Sequence, residues 1–397
     1  MRRLIVRGGR VVLPDEVKEA DVVAEDGRIV AVGSGIGADR ERPGDEIVDA
    51  AGAWVLPGLI DLHCDAIEKE VEPRPNTLFP MEMAFLEFEK KLAGHGITTM
   101  LHSLSLGVGL SLRGEHLVAE MIGLIRSLRE ERAMIRHGVH LRYEVSHLTG
   151  LDLARRFVEE RAVELLSLMD HAPGIGQYRR PGSFERYVMK NQGVTRDEVA
   201  EIVADLQERR RRIDQGRLRE LTAFARAQGI AVASHDDDSR EAVDRSLAFH
   251  ACLSEFPLNL ETAAYARDRG MEVCVGAPNV VRGGSHDGNL RAIDAILAGA
   301  ATILCSDYHP ASLLHALFKL HREGMPLPAA VALATLNPAR AIGRGSEIGS
   351  LEPGKRADLI VVREVRGWPL VACTAVNGTV VYRSRDYRGR EYRDFPD

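Results

Sequence analysis

The sequence predicts an α/β protein: a (β/α)8 TIM-like barrel with a small β-sandwich domain built from both chain ends. Three observations carry this. The chain has 397 residues, more than one ordinary compact domain and enough for a barrel plus a smaller unit. Strand-like and helix-like runs alternate through its middle, as repeated βα units require. Both ends are rich in short β-runs separated by turns. Hydrophobic residues make up 45% of the chain, so a large core can be filled.

The β-rich opening covers residues 1–55, where "RLIVRGGRVV" and "GRIVAVG" flank an "EDG" hairpin signal. Its counterpart covers 350–397, with "ADLIVV" and then "AVNGTVVYRS", turning at Asn377 and Gly378. The alternative is two unrelated edge hairpins. The barrel spans 56–349. Its eight strands read as "WVLPGLIDLH", "GITTMLHSL", "GVHLRYEVS", "AVELLSLMD", "GIAVASHD", "FPLNLET", "MEVCVGAP" and "ATILCSD". Helical patterns such as "MEMAFLEFEKKLAGHG" and "RLRELTAFARAQG" lie between many of them. No G-x-G-x-x-G follows the first strand, which counts against a doubly wound sheet. The connection near 174–220 is long and polar, and reads as a loop plus one inserted helix. Arg209 to Arg212 read there as a solvated helix face.

The charge count, 52 basic against 58 acidic residues for a net of −6, gives no case for nucleic-acid binding. It leaves room for a polyanionic substrate, because local loops set local fields. Five scattered cysteines without a C-x-x-C pair point to reduced thiols and a cytoplasmic protein. Arg7, Gly8 and Gly9 interrupt the apolar start too early for a signal peptide. No run approaches the roughly 18 apolar residues of a membrane helix, so no membrane partner is expected. Homo-oligomerisation stays open.

Reactive groups of such barrels stand at the C-terminal ends of strands. Those ends carry His63 and Asp65, then His102, Glu144, His171, His235 with Asp236, and Asp307 with His309. His63 and Asp65 are two apart and share a strand face. Packing alone does not account for so many, since buried charge is costly unless paired or metal-bound. Imidazole and carboxylate together suit Zn2+, Mn2+, Fe2+ or Co2+. Plainer readings exist for each. His63 and Asp65 can form a simple hydrogen bond, and Glu144 can pair with Arg142. His171 can be a turn residue or a supporting donor, and Asp236 to Asp238 can cap the next helix. His102 and His309 read as substrate contacts or packed residues. Cys64 alternates away from the lumen and reads as packing.

A glycine-rich stretch, "VVRGGSHDGN", follows the seventh strand, where barrels often bind phosphate. Gly283 and Gly284 would let backbone N–H groups form an anion nest. Arg282 adds a charge-assisted contact, and Ser285, His286 and Asn289 further polar groups. An ordinary loop is the alternative. Lys69 and Arg74 either act likewise from the first loop or pair with Glu68, Glu70 or Glu72.

"PGLIDLH" after a β-rich start, then "SD", "NPAR" and "GKRADLIVV", resemble the amidohydrolase superfamily. "EKEVEPRP", "GITTM", "SLMDHAPG", "ASHDDD", "GAPNVVRGGSHDGN" and "SDYHPASLL" are similar to the diphosphatases of the carbon–phosphorus lyase pathway of phosphonate catabolism, along nearly the whole chain. The resemblance implies a metal-dependent hydrolase that cleaves the α–β phosphoanhydride of a ribosyl methylphosphonate triphosphate and releases pyrophosphate. It implies His63, Asp65, Glu144, His171, His235 and Asp307 as ligands or bases, with Asp307 taking the proton. One or two divalent ions, Zn2+ foremost, and a phosphorylated sugar substrate come with it. The superfamily's usual His-x-His reads His-x-Asp here. Glu144 falls on the third strand and the later histidines on the fourth and fifth, one strand earlier than in many members. Two rivals stand beside this. A cyclic-amide hydrolase or deacetylase of the same superfamily shares the metal site without needing the glycine-rich loop. A non-catalytic barrel scaffold predicts lost ligands.

Overall fold

The computed structural model describes residues 3–39, 41–74, 77–107, 114–192, 195–285 and 289–384. Five strands open the chain: β1 (Arg3–Val12), β2 (Val17–Glu25), β3 (Arg28–Gly33), β4 (Glu46–Asp49) and β5 (Trp54–Pro57). The barrel strands are β6 (Leu59–Cys64), β7 (Ile97–Leu106), β8 (Arg136–Glu144), β9 (Leu165–Met169), β10 (Ala231–His235), β11 (Leu253–Glu255), β12 (Glu272–Gly276) and β13 (Ile303–Cys305). The last three are β14 (Leu359–Val365), β15 (Trp368–Val376) and β16 (Thr379–Arg383).

The two chain ends share one mixed sheet, in the order β16-β15-β14-β5-β1-β2-β3, with β4 also on β1. The seam is the antiparallel pair of β14 and β5, where Val361 faces Val55. Both predicted hairpins form for the reason their sequences give. Asp26 and Gly27 have φ of 47° and 82°, and Asn377 and Gly378 49° and 67°, the double left-handed turn that matches strand twist. Leu4, Val6, Val22, Val55, Leu359 and Val361 pack as one core. The sheet's share of the opening segment runs through Pro57, past the expected limit of 55.

β6 to β13 run parallel, each beside its sequence neighbour. Backbone bonds from Asp307 N to His63 O and from Asp65 N to Asp307 O, each 2.9 Å, join the last strand to the first. Leu62, Leu101, Leu165, Ala233, Leu253 and Ile303 fill one side of the strands, and Leu59, Cys64, Met100, Val139 and Leu141 meet the helices on the other. Cys64 therefore packs outward as expected, and burial pushes its thiol pKa well up. Among the described residues no helix is long and apolar enough to cross a membrane.

Three predicted elements differ. The sixth strand is Leu253–Glu255, not "FPLNLET". Phe256 turns left-handed with φ 55° and ends it, and Asn259 caps the helix Leu260–Asp268 by accepting from Thr262 N. The insertion holds two helices rather than one, Ser183–Gln192 and Arg196–Arg211, around Phe184, Val188 and Val199. A capping box of Thr195 and Glu198 starts the second. The seventh strand runs into the helix Ala277–Arg282 before the glycine-rich loop begins. His102 is a packed residue: its Nε2 lies 2.9 Å from His137 Nδ1 in the helix layer, beside Phe85.

Candidate metal centre and anion cavity

Strand alternation puts His140, Arg142 and Glu144 of β8 on one face, pointing into the lumen. His140 lies deepest, held between the Ser103 and Ser167 hydroxyls at 3.0 and 2.9 Å. Burial lowers its pKa to about 3. Beside it, His63 Nδ1 lies 2.8 Å from Glu255 Oε1, both fully buried. Burial, then the charges of Arg142 and His235, hold His63 well below the usual imidazole range. A neutral His63 in this contact donates Nδ1–H to the carboxylate, which leaves Nε2 its lone pair.

A second group lies nearer the mouth. His171, His235 and Asp236 each offer a ligating atom within 4.8 Å of the others, as do His63, His140 and Glu255 below them. The rings of His63 and His235 connect the two groups, with centroids 5.6 Å apart. Glu144 grips His171 with both oxygens, accepting from its backbone N at 3.2 Å and meeting ring Nδ1 at 3.0 Å. Burial lowers the His235 pKa, but Asp236, with Oδ2 3.1 Å from Nδ1, overrides this and raises it. Asp236 is raised by burial and carried below its usual range by His235. Its φ of 57° aims it inward, and a Cβ on Gly176 would come within 3.1 Å of its Cβ.

These residues fit a divalent cation. Among the described residues buried His171 Nε2 has no hydrogen-bond partner, and His235 Nδ1 and Asp236 Oδ2 have only each other, at 3.1 Å. Three such atoms on two imidazoles and a carboxylate are the donor set Zn2+ and its neighbours prefer. In the lower group both His140 nitrogens, His63 Nδ1 and Glu255 Oε1 are engaged in hydrogen bonds, while Glu255 Oε2 has no partner among the described residues.

The expected residues divide accordingly. His63, His171 and His235 gather in the two groups. Glu144 stands behind His171. Asp65 borders the site, its Oδ2 3.7 Å from Arg142 Nη1. Asp307, left-handed with φ 58°, is half-buried. Burial first, then the Asp65 charge, lifts its carboxyl to about 7. Asp236 does not cap the next helix; Ser239 does, accepting from Ala242 N. Asp237 instead accepts from Ser234 and Ser254, tying β10 to β11.

A cavity of about 170 Å³ opens beside Asp236 and Asp307 and reaches Arg282, Gly284, Ser285 and Asn289. The glycine-rich loop thus faces the acidic end of the site. Arg179 Nη2 donates to Asn289 Oδ1 at 3.3 Å, tying the segment after β9 to that loop. Gly283 corrects the expected anion nest. Its φ of 85° makes it the left-handed cap of the preceding helix, and its N–H is bonded to Asn279 O at 3.0 Å. Gly284 and Ser285 are left to line the cavity. His286 lies outside the described residues. Lys69, Arg74 and His309 are exposed and do not line the cavity. Glu70, one of the three acids offered as partners for Lys69 or Arg74, pairs with Lys91 at 2.7 Å.

Sequence reading missed His140 and Glu255. Alternation back from Glu144 through Arg142 points to His140 at mid-strand. Glu255 was hidden by the misplaced sixth strand, though an acid in the run "LSEFP" was its signal.

The amidohydrolase family profile matches residues 215–381. The chain is 35% identical over 365 residues to alpha-D-ribose 1-methylphosphonate 5-triphosphate diphosphatase of Escherichia coli (strain K12), covering 90% of this chain and 94% of that one. It is 27% identical to imidazolonepropionase of Porphyromonas gingivalis, over 91% and 89% of the two chains. Among solved structures, dihydropyrimidinase from Brevibacillus agri aligns with a TM-score of 0.64 at 17% identity, covering 98% of this chain and 96% of that one. That likeness is one of fold.

Proposed function

The chain belongs to the amidohydrolase family and is a hydrolytic enzyme, and from that premise we propose that it cleaves the α–β phosphoanhydride of alpha-D-ribose 1-methylphosphonate 5-triphosphate, releasing pyrophosphate. The observation that carries this is the single cavity joining Asp236 and Asp307 to Arg282, Gly284 and Ser285. Acid and base groups at one end and anion-binding groups at the other suit a polyphosphate ester. The similarity to the Escherichia coli diphosphatase supports the same reading.

In this reading His171, His235 and Asp236 hold a divalent ion together with His63, with Asp65 and Asp307 adjoining it. Zn2+ leads by ligand chemistry, with Mn2+, Fe2+ and Co2+ behind it. When bound, the ion neutralises phosphate charge and brings the pKa of water toward neutrality. Glu144 and Glu255 orient the rings of His171 and His63 from behind, as carboxylates commonly do for metal-binding histidines. Asp307, with its carboxyl poised at about 7, accepts the proton of the attacking water. Arg282, Ser285 and the Gly284 backbone receive the leaving phosphates.

A substrate panel tests this. Metal-loaded protein should turn over ribosyl or nucleoside triphosphates and leave dihydroorotate, hydantoins and N-acetyl sugars untouched. The reverse pattern would replace the proposal with a cyclic-amide hydrolase or deacetylase.

A further inference from the structure

Arg142 stands in the lumen among the site's histidines, with a side chain only 8% exposed. Its partners are few. Nη2 lies 3.2 Å from His235 Nε2, Nη1 lies 3.7 Å from Asp65 Oδ2, and buried Nε has no hydrogen-bond partner among the described residues. A guanidinium carries five N–H donors and cannot shed its charge. Burying it is costly unless those donors are used. A neutral cyclic amide gives such a group nothing to do. A tetrahedral phosphoryl group presents paired oxygens that the planar fork matches.

We propose that Arg142 is a substrate-binding residue that holds the non-bridging oxygens of the phosphoryl group under attack. Arg282, which lines the cavity beside Asp236 and Asp307, holds the leaving phosphates. The assignment rests on the phosphoanhydride reading above and names the group that meets the reacting phosphorus. Asp65 and His235 flank the guanidinium and set its direction.

The test uses metal-loaded protein and a nucleoside 5′-triphosphate with a methylene group in place of the α–β bridging oxygen, which cannot be cleaved there. Arg142→Gln keeps a donor for His235 but loses charge and fork. It should retain wild-type metal content and bind the analogue at least about tenfold more weakly by calorimetry. Arg142→Lys, which keeps the charge alone, should fall between. Wild-type affinity in Arg142→Gln overturns the proposal. So does loss of metal in proportion to affinity, which would make Arg142 only a prop for His235. If Arg142→Gln fails to fold, Arg142→Lys decides by the same two readings. Wild-type protein that binds the analogue through Arg142 but never hydrolyses the parent triphosphate would overturn the proposed reaction and leave this assignment standing. Wild-type protein that does not bind the analogue overturns the assignment.

Discussion

His63 Nδ1 and Glu255 Oε1 stand 2.8 Å apart in the barrel lumen, each side chain sealed from solvent. Glu255 fixes which nitrogen of His63 carries the proton. Glu255→Gln should therefore weaken divalent-ion affinity by about 10–100-fold. A chelator competition titration measures it, and wild-type affinity in the variant would contradict the orienting role.

Asp307 sets a pH dependence whose sign is fixed. Its carboxyl titrates at about 7, raised from 3.8 by burial and then by Asp65. Between those values the folded protein keeps a proton that the unfolded chain has released. Metal-stripped protein should thus lose stability as pH rises from about 4 to about 7, by a few kcal/mol. Asp307→Asn should flatten that slope in melting experiments, leaving the same-sense share of Asp61, which titrates at about 6. It should also abolish turnover while the fold survives. An active Asp307→Asn protein contradicts its role as base.

The loop can be tested without disturbing the fold. A Cβ on Gly284 meets no atom of the described residues within 4 Å, and Gly284 lines the cavity, so Gly284→Val intrudes on cavity space. Gly284→Val and Arg282→Ala should each weaken triphosphate binding, with metal content unchanged. Wild-type kinetics in both would show that the loop does not hold phosphate.

Glu89 separates a structural cluster from the site. It accepts from the backbone N–H groups of Met134 and Ile135 and meets His137 Nε2 at 3.0 Å, beneath His102. Glu89→Ala should cost on the order of 3 kcal/mol in denaturant unfolding, with turnover per bound metal unchanged. A selective loss of turnover would bring the His102 cluster into the mechanism.

Much of this was legible in the sequence, for identifiable reasons. Turn chemistry at Asp26–Gly27 and Asn377–Gly378 marked the hairpins, and strand-like runs alternating with helical patterns marked the barrel. His63, His171, His235 and Asp307 stood out because they end those strands. Glu255 did not, because β11 is only three residues long and a longer apolar run beside it took its place. Gly283 was legible as a glycine requirement but not as a cap, since a nest and a left-handed helix end ask for the same residue. Arg142 looked like a partner for Glu144. Only the packed lumen shows that Glu144 is occupied with His171.

The central claim is attack on the α-phosphorus of a ribosyl triphosphate. Phosphorus NMR of the reaction in isotopically labelled water tests it most directly. Pyrophosphate and a labelled ribosyl 5-phosphate should be the only products. Label in pyrophosphate, or release of orthophosphate, would contradict it.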